Sequence, residues 1–294
     1  MKFALIGHPV SHSLSPAIHR AAYRELGVSH EYELLDAPTE ADVDRVVLAL
    51  RRGELGGVNV TIPWKRRAFA AADRRSALSE RLQVANVLAP ADGEIVAHNT
   101  DALALEAEFR RLLPASTPRA VVLGSGGATP AVVAACQAAG VAEVFVTARR
   151  FEPKTPENTW PGAPELVRLG ARPVAWPGSS EAAKPRFEEL CRGAGLVVQC
   201  TSAGMQGADS GEPIAALVPW SELAADALAY DLIYAPLETP FLRVAREAGR
   251  RTAHGLSMLV GQAALAIEIW IGRRPATEPL LAAALAALAE RGRR

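Results

Sequence analysis

Net charge is the first thing the sequence lacks. Lysine and arginine together number 32, and so do aspartate and glutamate. No global field therefore draws the chain to nucleic acid or to an anionic membrane surface, and neither is expected as a partner. Cysteine is scarce: Cys136, Cys191 and Cys200 stand far apart, with no CxxC pair and no Cys/His cluster. That argues against a disulfide framework or a zinc site and for buried thiols in a reducing compartment. The six histidines, His8, His12, His19, His30, His98 and His254, show no metal-ligand spacing, so no metal is expected. Long apolar runs are missing too. Met1 to Ile6 breaks at Gly7-His8-Pro9, too soon for a signal peptide. Leu256 to Ile271 carries Gln262 and Glu268, and Leu280 to Ala289 is too short to cross a bilayer. A cytoplasmic protein is the expectation, with monomer and homodimer both open. No repeat of fixed period is present.

What is there is enough for a large core: 294 residues, 49% of them hydrophobic, room for one large domain or two of medium size. Strand-like and amphipathic stretches alternate from the start: Phe3 to Ile6, Pro16 to Leu26, Glu31 to Leu35, Glu40 to Arg51, Val58 to Ile62 and Lys65 to Ala72. This βαβαβα order implies a parallel sheet covered by helices. Val84 to Leu88 and Glu94 to Ala97 flank Ala91-Asp92-Gly93, a turn signal for a hairpin. A helix from Leu103 to Leu113 follows, and Ala115-Ser116-Thr117-Pro118 reads as a break. A second unit then opens at Ala120 to Leu123. Its further strands are expected at Pro173 to Trp176, Leu196 to Gln199, Ala227 to Leu232 and Arg251-Thr252, with an irregular Pro-rich segment from Phe151 to Pro164. Beyond Gly255 only helical pattern remains, and such helices can pack back on the first unit. The expected organisation is a discontinuous domain of residues 1–102 and 255–294 around a second domain of residues 103–254.

The second unit opens with a phosphate-binding signature. Gly124-Ser125-Gly126-Gly127-Ala128 follows a strand and leads into a helix over Ala131 to Ala139, where free amides and the helix N-terminus favour a pyrophosphate. A tight turn alone also accounts for such glycines. The next strand end, Thr147-Ala148-Arg149-Arg150, adds a second observation. NAD-binding units carry an acid about 20 residues beyond the glycines to take the ribose hydroxyls. Here guanidiniums stand instead, suited to a 2′-phosphate that a carboxylate would repel. The unit is therefore expected to be a Rossmann-like domain that binds NADP. Lys154 in the following loop either adds to that charge or is a solvated loop lysine.

The first unit carries a hydroxyl loop, Gly7-His8-Pro9-Val10-Ser11-His12-Ser13-Leu14-Ser15-Pro16, that runs into a helix with Pro near its first turn. One serine there is an ordinary N-cap. Two, Ser13 and Ser15, make a site for a carboxylate. This string resembles the N-terminal signature of the shikimate dehydrogenase family, and the resemblance continues in order along the chain. Gly57-Val58-Asn59-Val60-Thr61-Ile62-Pro63-Trp64-Lys65 is similar to the family's second motif. Val84-Ala85-Asn86-Val87, His98-Asn99-Thr100-Asp101, the glycine turn and Gln199-Cys200-Thr201-Ser202-Ala203-Gly204-Met205 follow. Tyr230-Asp231-Leu232-Ile233-Tyr234 and Gly255-Leu256-Ser257-Met258-Leu259-Val260-Gly261-Gln262 complete the set.

The resemblance implies an NADP-dependent oxidoreductase that reduces the C3 carbonyl of 3-dehydroshikimate to give shikimate, in chorismate and aromatic amino acid biosynthesis. It implies Lys65 and Asp101 as the catalytic acid/base pair. Ser13, Ser15, Thr61, Asn86, Tyr234 and Gln262 are implied as substrate contacts. Thr201, Met205, Gly255 and Met258 are implied to lie along the cofactor. On the residues alone, Lys65 reads as a surface lysine at a helix start and Asp101 as an N-cap. Gln262 reads as a satisfied buried amide and Tyr234 as a core tyrosine. A quinate or dual quinate/shikimate dehydrogenase stays open, as does a relative that binds such acids without turnover. Retention of Lys65 with Asp101 argues against the latter.

Overall fold

The computed structural model describes residues 1–153, 156 and 159–293. The chain divides into two compact units, Met1–Ala104 with Ser257–Arg294, and Leu105–Leu256. Both are α/β, as the alternation of strand and helix patterns predicts.

The first unit is built from β1 (Lys2–Gly7), α1 (Ser15–Glu25), β2 (Glu31–Asp36), α2 (Glu40–Arg51), β3 (Gly57–Val60), α3 (Lys65–Ala71), β4 (Arg74–Arg75), α4 (Ala77–Leu82), β5 (Val87–Ala91) and β6 (Glu94–His98). The helix α5 (Thr100–Leu112) carries the chain across the unit boundary. The sheet order is β2-β1-β3-β5-β6-β4. Strands separated by a helix, β1, β2 and β3, pair in parallel, because a helical crossover returns the chain to the same edge. The hairpin β5–β6 is antiparallel, and β5 also runs antiparallel to β3. Ile6, Val47, Leu50, Val58, Val60, Leu88 and Ala97 form the core between the sheet and its helices.

Two short elements here lie outside those that the sequence pattern singles out. The strand β4 is a pair of arginines beside β6, with the Arg75 guanidinium 5.2 Å from the Phe69 ring centroid. The short α4 is capped by the Ser76 side chain, which accepts from Ser79 N at 3.3 Å.

The second unit runs β7 (Arg119–Leu123), α6 (Thr129–Ala138), β8 (Glu143–Thr147), α7 (Ala163–Arg168), β9 (Arg172–Val174), α8 (Ala183–Cys191), β10 (Leu196–Gln199), α9 (Glu212–Leu217), β11 (Leu228–Asp231), α10 (Pro240–Glu247) and β12 (Arg251–His254). All pairs are parallel, in the order β12-β11-β10-β7-β8-β9. The central strands are buried along nearly their whole length, as the continuous apolar runs of a parallel sheet require. In register, the strand ends align as one row: Leu123, Gln199, Asp231 and His254. Because chain order reverses between β7 and β10, a crevice at the C-terminal edge of this sheet is the general ligand position of such folds.

The last helices, α11 (Leu256–Ile271) and α12 (Thr277–Gly292), belong to the first unit apart from the first residue of α11. Trp270 of α11 stacks on Phe3, ring centroids 4.8 Å apart, and donates from Nε1 to the Leu88 carbonyl at 3.2 Å. Its indole lies against Gly57, where an added Cβ would come within 2.2–2.5 Å of three indole atoms. Gly57→Ala should therefore destabilise the first unit by about 1–3 kcal/mol through overpacking. Urea unfolding followed by tryptophan fluorescence measures this. A midpoint equal to that of the unsubstituted protein would mean the indole shifts freely.

Candidate active site

Functional side chains of the first unit collect at one edge of its sheet, for a topological reason. The ends of β1, β3 and β6 and the start of the antiparallel β5 all lie on that edge. His8 N donates to Ile62 O at 2.9 Å, Thr61 N to Ile6 O at 2.9 Å, Val60 N to Asn86 O at 2.8 Å, and Asn86 N to His98 O at 3.1 Å. The loops following β1, β3 and β6 are thereby stitched side by side with the residue before β5.

Lys65 opens α3, and its Nζ donates to Asp101 Oδ2 at 2.7 Å. The two side chains are only 13% and 7% exposed. This is no surface lysine. A cation at a helix N-terminus meets an unfavourable dipole and loses water on burial, and the carboxylate beside it offsets both costs. The second oxygen, Asp101 Oδ1, accepts from Asn86 Nδ2 at 2.9 Å. Asn86 also donates to Thr100 Oγ1 at 2.9 Å and to Gln262 Oε1 at 3.3 Å, and accepts from Thr100 N at 2.7 Å. Gln262 donates in turn to Leu259 O at 2.8 Å. Lys65, Asn86, Asp101 and Gln262, expected from four separate motifs, thus share one hydrogen-bonded cluster.

Asp101 does not cap α5. Asn99 does, accepting from Ala102 N at 3.0 Å, and the helix starts at Thr100, before the expected Leu103. The cap at Asn99 releases the Asp101 carboxylate to face Lys65. Thr100 and Asn99 are site-building residues that patterning alone does not single out, although both stand inside the motif that carries Asp101.

Ser13 sits in the loop after β1, and Ser15 opens α1. Ser13 Oγ accepts from Ser15 N at 3.1 Å and donates to Ser15 Oγ at 3.1 Å. The loop is held from α12, where Arg291 donates to the carbonyls of His12 at 2.6 Å and Ser13 at 2.8 Å. Thr61, half-buried, packs its methyl against Gly7. Beneath them lies a polar group that sequence reading misses. Tyr32 donates to Asn59 Oδ1 at 2.7 Å, and its ring stacks on His19 at 3.7 Å between centroids. Burial pushes the His19 imidazole down to about 3, Asn59 partly opposing, so it stays neutral and structural. Tyr234 lies in the second unit, half-buried in the loop after β11.

In the second unit, Gly124 takes φ of +116°, and the Cys200 backbone and Thr201 methyl crowd the place of a Cβ, so only glycine fits there. Thr129 donates to Gly124 O at 3.1 Å, and α6 opens there, two residues earlier than expected. The turn thus presents backbone amides at a helix N-terminus, the donor set a pyrophosphate needs. Gly126 has open space around it. Ala148 directly follows β8, in the place where NAD-binding units carry an acid. Arg149 is 76% exposed, 3.8 Å from Asp209, while Arg150 donates to Ser125 Oγ at 2.8 Å and also to Ser125 O, strapping the strand end to the glycine turn. Gly127 and Ala128 complete the turn. Lys154 lies outside the described residues.

The loop after β10 is organised by Gln199, which accepts from Thr201 N at 2.5 Å and donates to Ala203 O at 2.8 Å. Met205 on it is 45% exposed. Gly255 N donates to Ile233 O at 3.1 Å, and Met258 is buried on α11. Cys136 and Cys191 are buried thiols, but Cys200 is half-buried beside Thr129, against the expectation for all three. Among the described residues no group of three or more His, Cys, Asp or Glu could hold a metal ion, and no helix is long and apolar enough to cross a membrane.

The chain is similar to known proteins along most of its length. Residues 5–88 match the family model for the shikimate dehydrogenase substrate binding domain, and residues 255–285 match that of the shikimate 5'-dehydrogenase C-terminal domain. A shikimate dehydrogenase (NADP+) of Rhizobium rhizogenes is 38% identical over 286 residues, 96% of this chain and 93% of its own length. The chain belongs to the shikimate dehydrogenase family. A relative with the same name in Rhizobium meliloti is 40% identical over 280 residues, covering 94% of this chain and 91% of its own. The crystal structure of shikimate 5-dehydrogenase from Thermus thermophilus in complex with NADP(H) and shikimate superposes with a TM-score of 0.80 at 36% identity, covering 98% of this chain and all of that one.

One buried acid stands apart from the cluster. Burial pushes Asp231 up from 3.8 to about 7, while hydrogen bonds from Thr239 and Ile233 pull the other way. The folded chain thus holds this proton more tightly than the unfolded one. The contribution to stability is full below about pH 4 and is lost as pH rises through about 7. Asp231→Asn should flatten that slope. In urea titrations at pH 5 and pH 8, the variant should gain on the unsubstituted protein at the higher pH; an equal difference at both would mean the carboxyl titrates normally.

Proposed function

We propose that the chain catalyses the reversible reduction of 3-dehydroshikimate to shikimate with NADPH. The observation that carries this reading is the buried Lys65–Asp101 pair, 2.7 Å between charged atoms, set among neutral polar groups at one sheet edge. Relatives at 38% and 40% identity bear the name of this activity, and a solved relative holds both NADP(H) and shikimate. The first unit takes the substrate and the second the cofactor. We place the enzyme in the cytoplasm as a monomer or homodimer, in keeping with its few, widely spaced cysteines and balanced charge.

The turn Gly124, Ser125, Gly126, Gly127 and Ala128 would hold the pyrophosphate of NADP, and Arg149 with Arg150 the 2′-phosphate. Thr201, Met205, Gly255 and Met258 would border the nicotinamide half. When bound, NADPH supplies the hydride. The protein's own task is the proton. Negative charge grows on the carbonyl oxygen as it is reduced, and the Lys65 ammonium donates to it. Asp101 orients that ammonium and steadies its charge; Asn86 holds Asp101 from the other side. In the reverse direction the same lysine accepts the hydroxyl proton. Ser13 and Ser15 bind the substrate carboxylate. Thr61, Asn86, Tyr234 and Gln262 meet ring hydroxyls, whose loss would leave buried donors and acceptors unpaired.

Lys65→Met should lower kcat by about 10²-fold or more with little change in KM for shikimate, as expected for a proton transfer made in the transition state. Unchanged kcat would remove Lys65 from this role. Arg149→Ala should raise KM for NADPH far more than for NADH, and equal effects would refute phosphate recognition at that residue. Initial rates for shikimate and quinate crossed with NADP and NAD test the substrate assignment itself. Turnover with shikimate and NADP is the expected leading rate; a faster reaction with quinate would reassign the enzyme, and no reaction with either acid would make it a binding relative.

A further inference from the structure

Asp231 is wholly buried at the last position of β11, outside both the Lys65 cluster and the arginines at the end of β8. Both its oxygens are engaged. Oδ1 accepts from Ile233 N at 2.9 Å, and Oδ2 accepts from Thr239 Oγ1 at 2.6 Å. The carboxylate therefore ties the two ends of one loop together, and Tyr234 lies between the ties. The same Thr239 oxygen accepts from Leu242 N at 3.3 Å, so the far end of the loop is joined to the start of α10. At the near end, Leu232 N donates to Gln199 O at 3.1 Å, and Ile233 O accepts from Gly255 N at 3.1 Å. The loop has its base fixed to both neighbouring strands and its return fixed to a carboxylate.

A carboxylate is a costly way to fill a buried strand end, because burial disfavours its charge. An apolar side chain would pack there without that penalty. What the acid adds is direction: two acceptor oxygens that define where residues 233 and 239 must stand. Fixing a loop before the ligand arrives removes ordering cost from the binding step.

We propose that Asp231 and Thr239 form a clamp that positions Tyr234 for the substrate. Asp231 is a positioning residue and makes no contact with the reacting atoms. The clamp rests on the reading of Tyr234 as a substrate contact in the proposed reaction.

Thr239→Val keeps the shape of the side chain and removes the hydroxyl. At pH 8, above the raised titration of Asp231, it should raise KM for shikimate about tenfold, the loss of roughly one hydrogen bond to a charged group, with kcat changed by less than about threefold. Thr239→Ser, which restores the hydroxyl, should return KM to that of the unsubstituted enzyme. In a Tyr234→Phe background the Val substitution should have no further effect on KM, because the clamp acts through the tyrosine. If Thr239→Val does not fold, Asp231→Asn is put through the same cycle. A lowered melting temperature with unchanged KM, or a full effect in the Tyr234→Phe background, overturns the clamp. The unsubstituted enzyme is assayed in the same series. Its failure to turn over shikimate would overturn the proposed reaction and the clamp with it, whereas normal turnover with an unmoved KM overturns the clamp alone.

Discussion

An ammonium taken out of water needs an anion beside it, and the first unit is arranged around that requirement. Lys65 sits at the start of α3, where the helix dipole repels it, and Asp101 is its ionic partner at 2.7 Å. Asp101 faces it because Asn99 takes the cap of α5. Asn86 steadies Asp101 because β5 starts at the edge where β6 ends. Remove the hairpin or the cap, and the lysine loses its partner. Breaking a buried pair from one side costs about 3–5 kcal/mol, since a charge is left uncompensated. The same coupling that threatens stability makes the pair useful. In the proposed reaction, a buried ammonium held by a carboxylate would be a proton donor whose direction is fixed before any ligand binds.

Much of this was legible in the residues. The helix Glu40–Arg51 and the strand Leu196–Gln199 stand where periodicity places them, because each has a clear apolar face or a nearly continuous apolar run. The hairpin turn at Asp92 and Gly93 was equally plain. The family resemblance also implied four members of the polar cluster, three of which read on the residues alone as a surface lysine, a helix cap and a satisfied amide. What stayed hidden depends on tertiary contact. β4 is two arginines, with no alternation to betray a strand, and it exists through its pairing with β6. The start of α5 was misplaced because Asn99, not a hydrophobic residue, sets it. Tyr32 and Asn59 looked like ordinary strand residues, and their bond across β1 emerges only once the sheet order is known. Arg149 and Arg150 read as equivalent in sequence, yet one straps the glycine turn and the other extends into solvent.

The second unit obeys a related rule, visible in its strand ends. Thr147, Gln199 and Asp231 are each fully buried, and each closes an otherwise largely apolar strand. A polar group in such a place is tolerated only when its hydrogen bonds are made. In all three the partner lies in a later segment. Thr147 donates to Ala175 O at 3.1 Å, Gln199 bonds Thr201 and Ala203, and Asp231 bonds Ile233 and Thr239. The apolar body of each strand builds the core and places no constraint on the chain beyond it. At Gln199 and Asp231 the final residue gives up some of that packing to dictate the path of the next loop, whereas Thr147 fixes the chain leaving β9. Because the three residues end neighbouring or near-neighbouring parallel strands, the loops they direct leave from one edge of the sheet. A buried polar residue at the end of an apolar parallel strand is thus a signal in its own right. It marks a loop whose shape is specified by the strand beneath it, and in this chain the loops after Gln199 and Asp231 carry Thr201, Met205 and Tyr234, which resemblance had assigned to ligands.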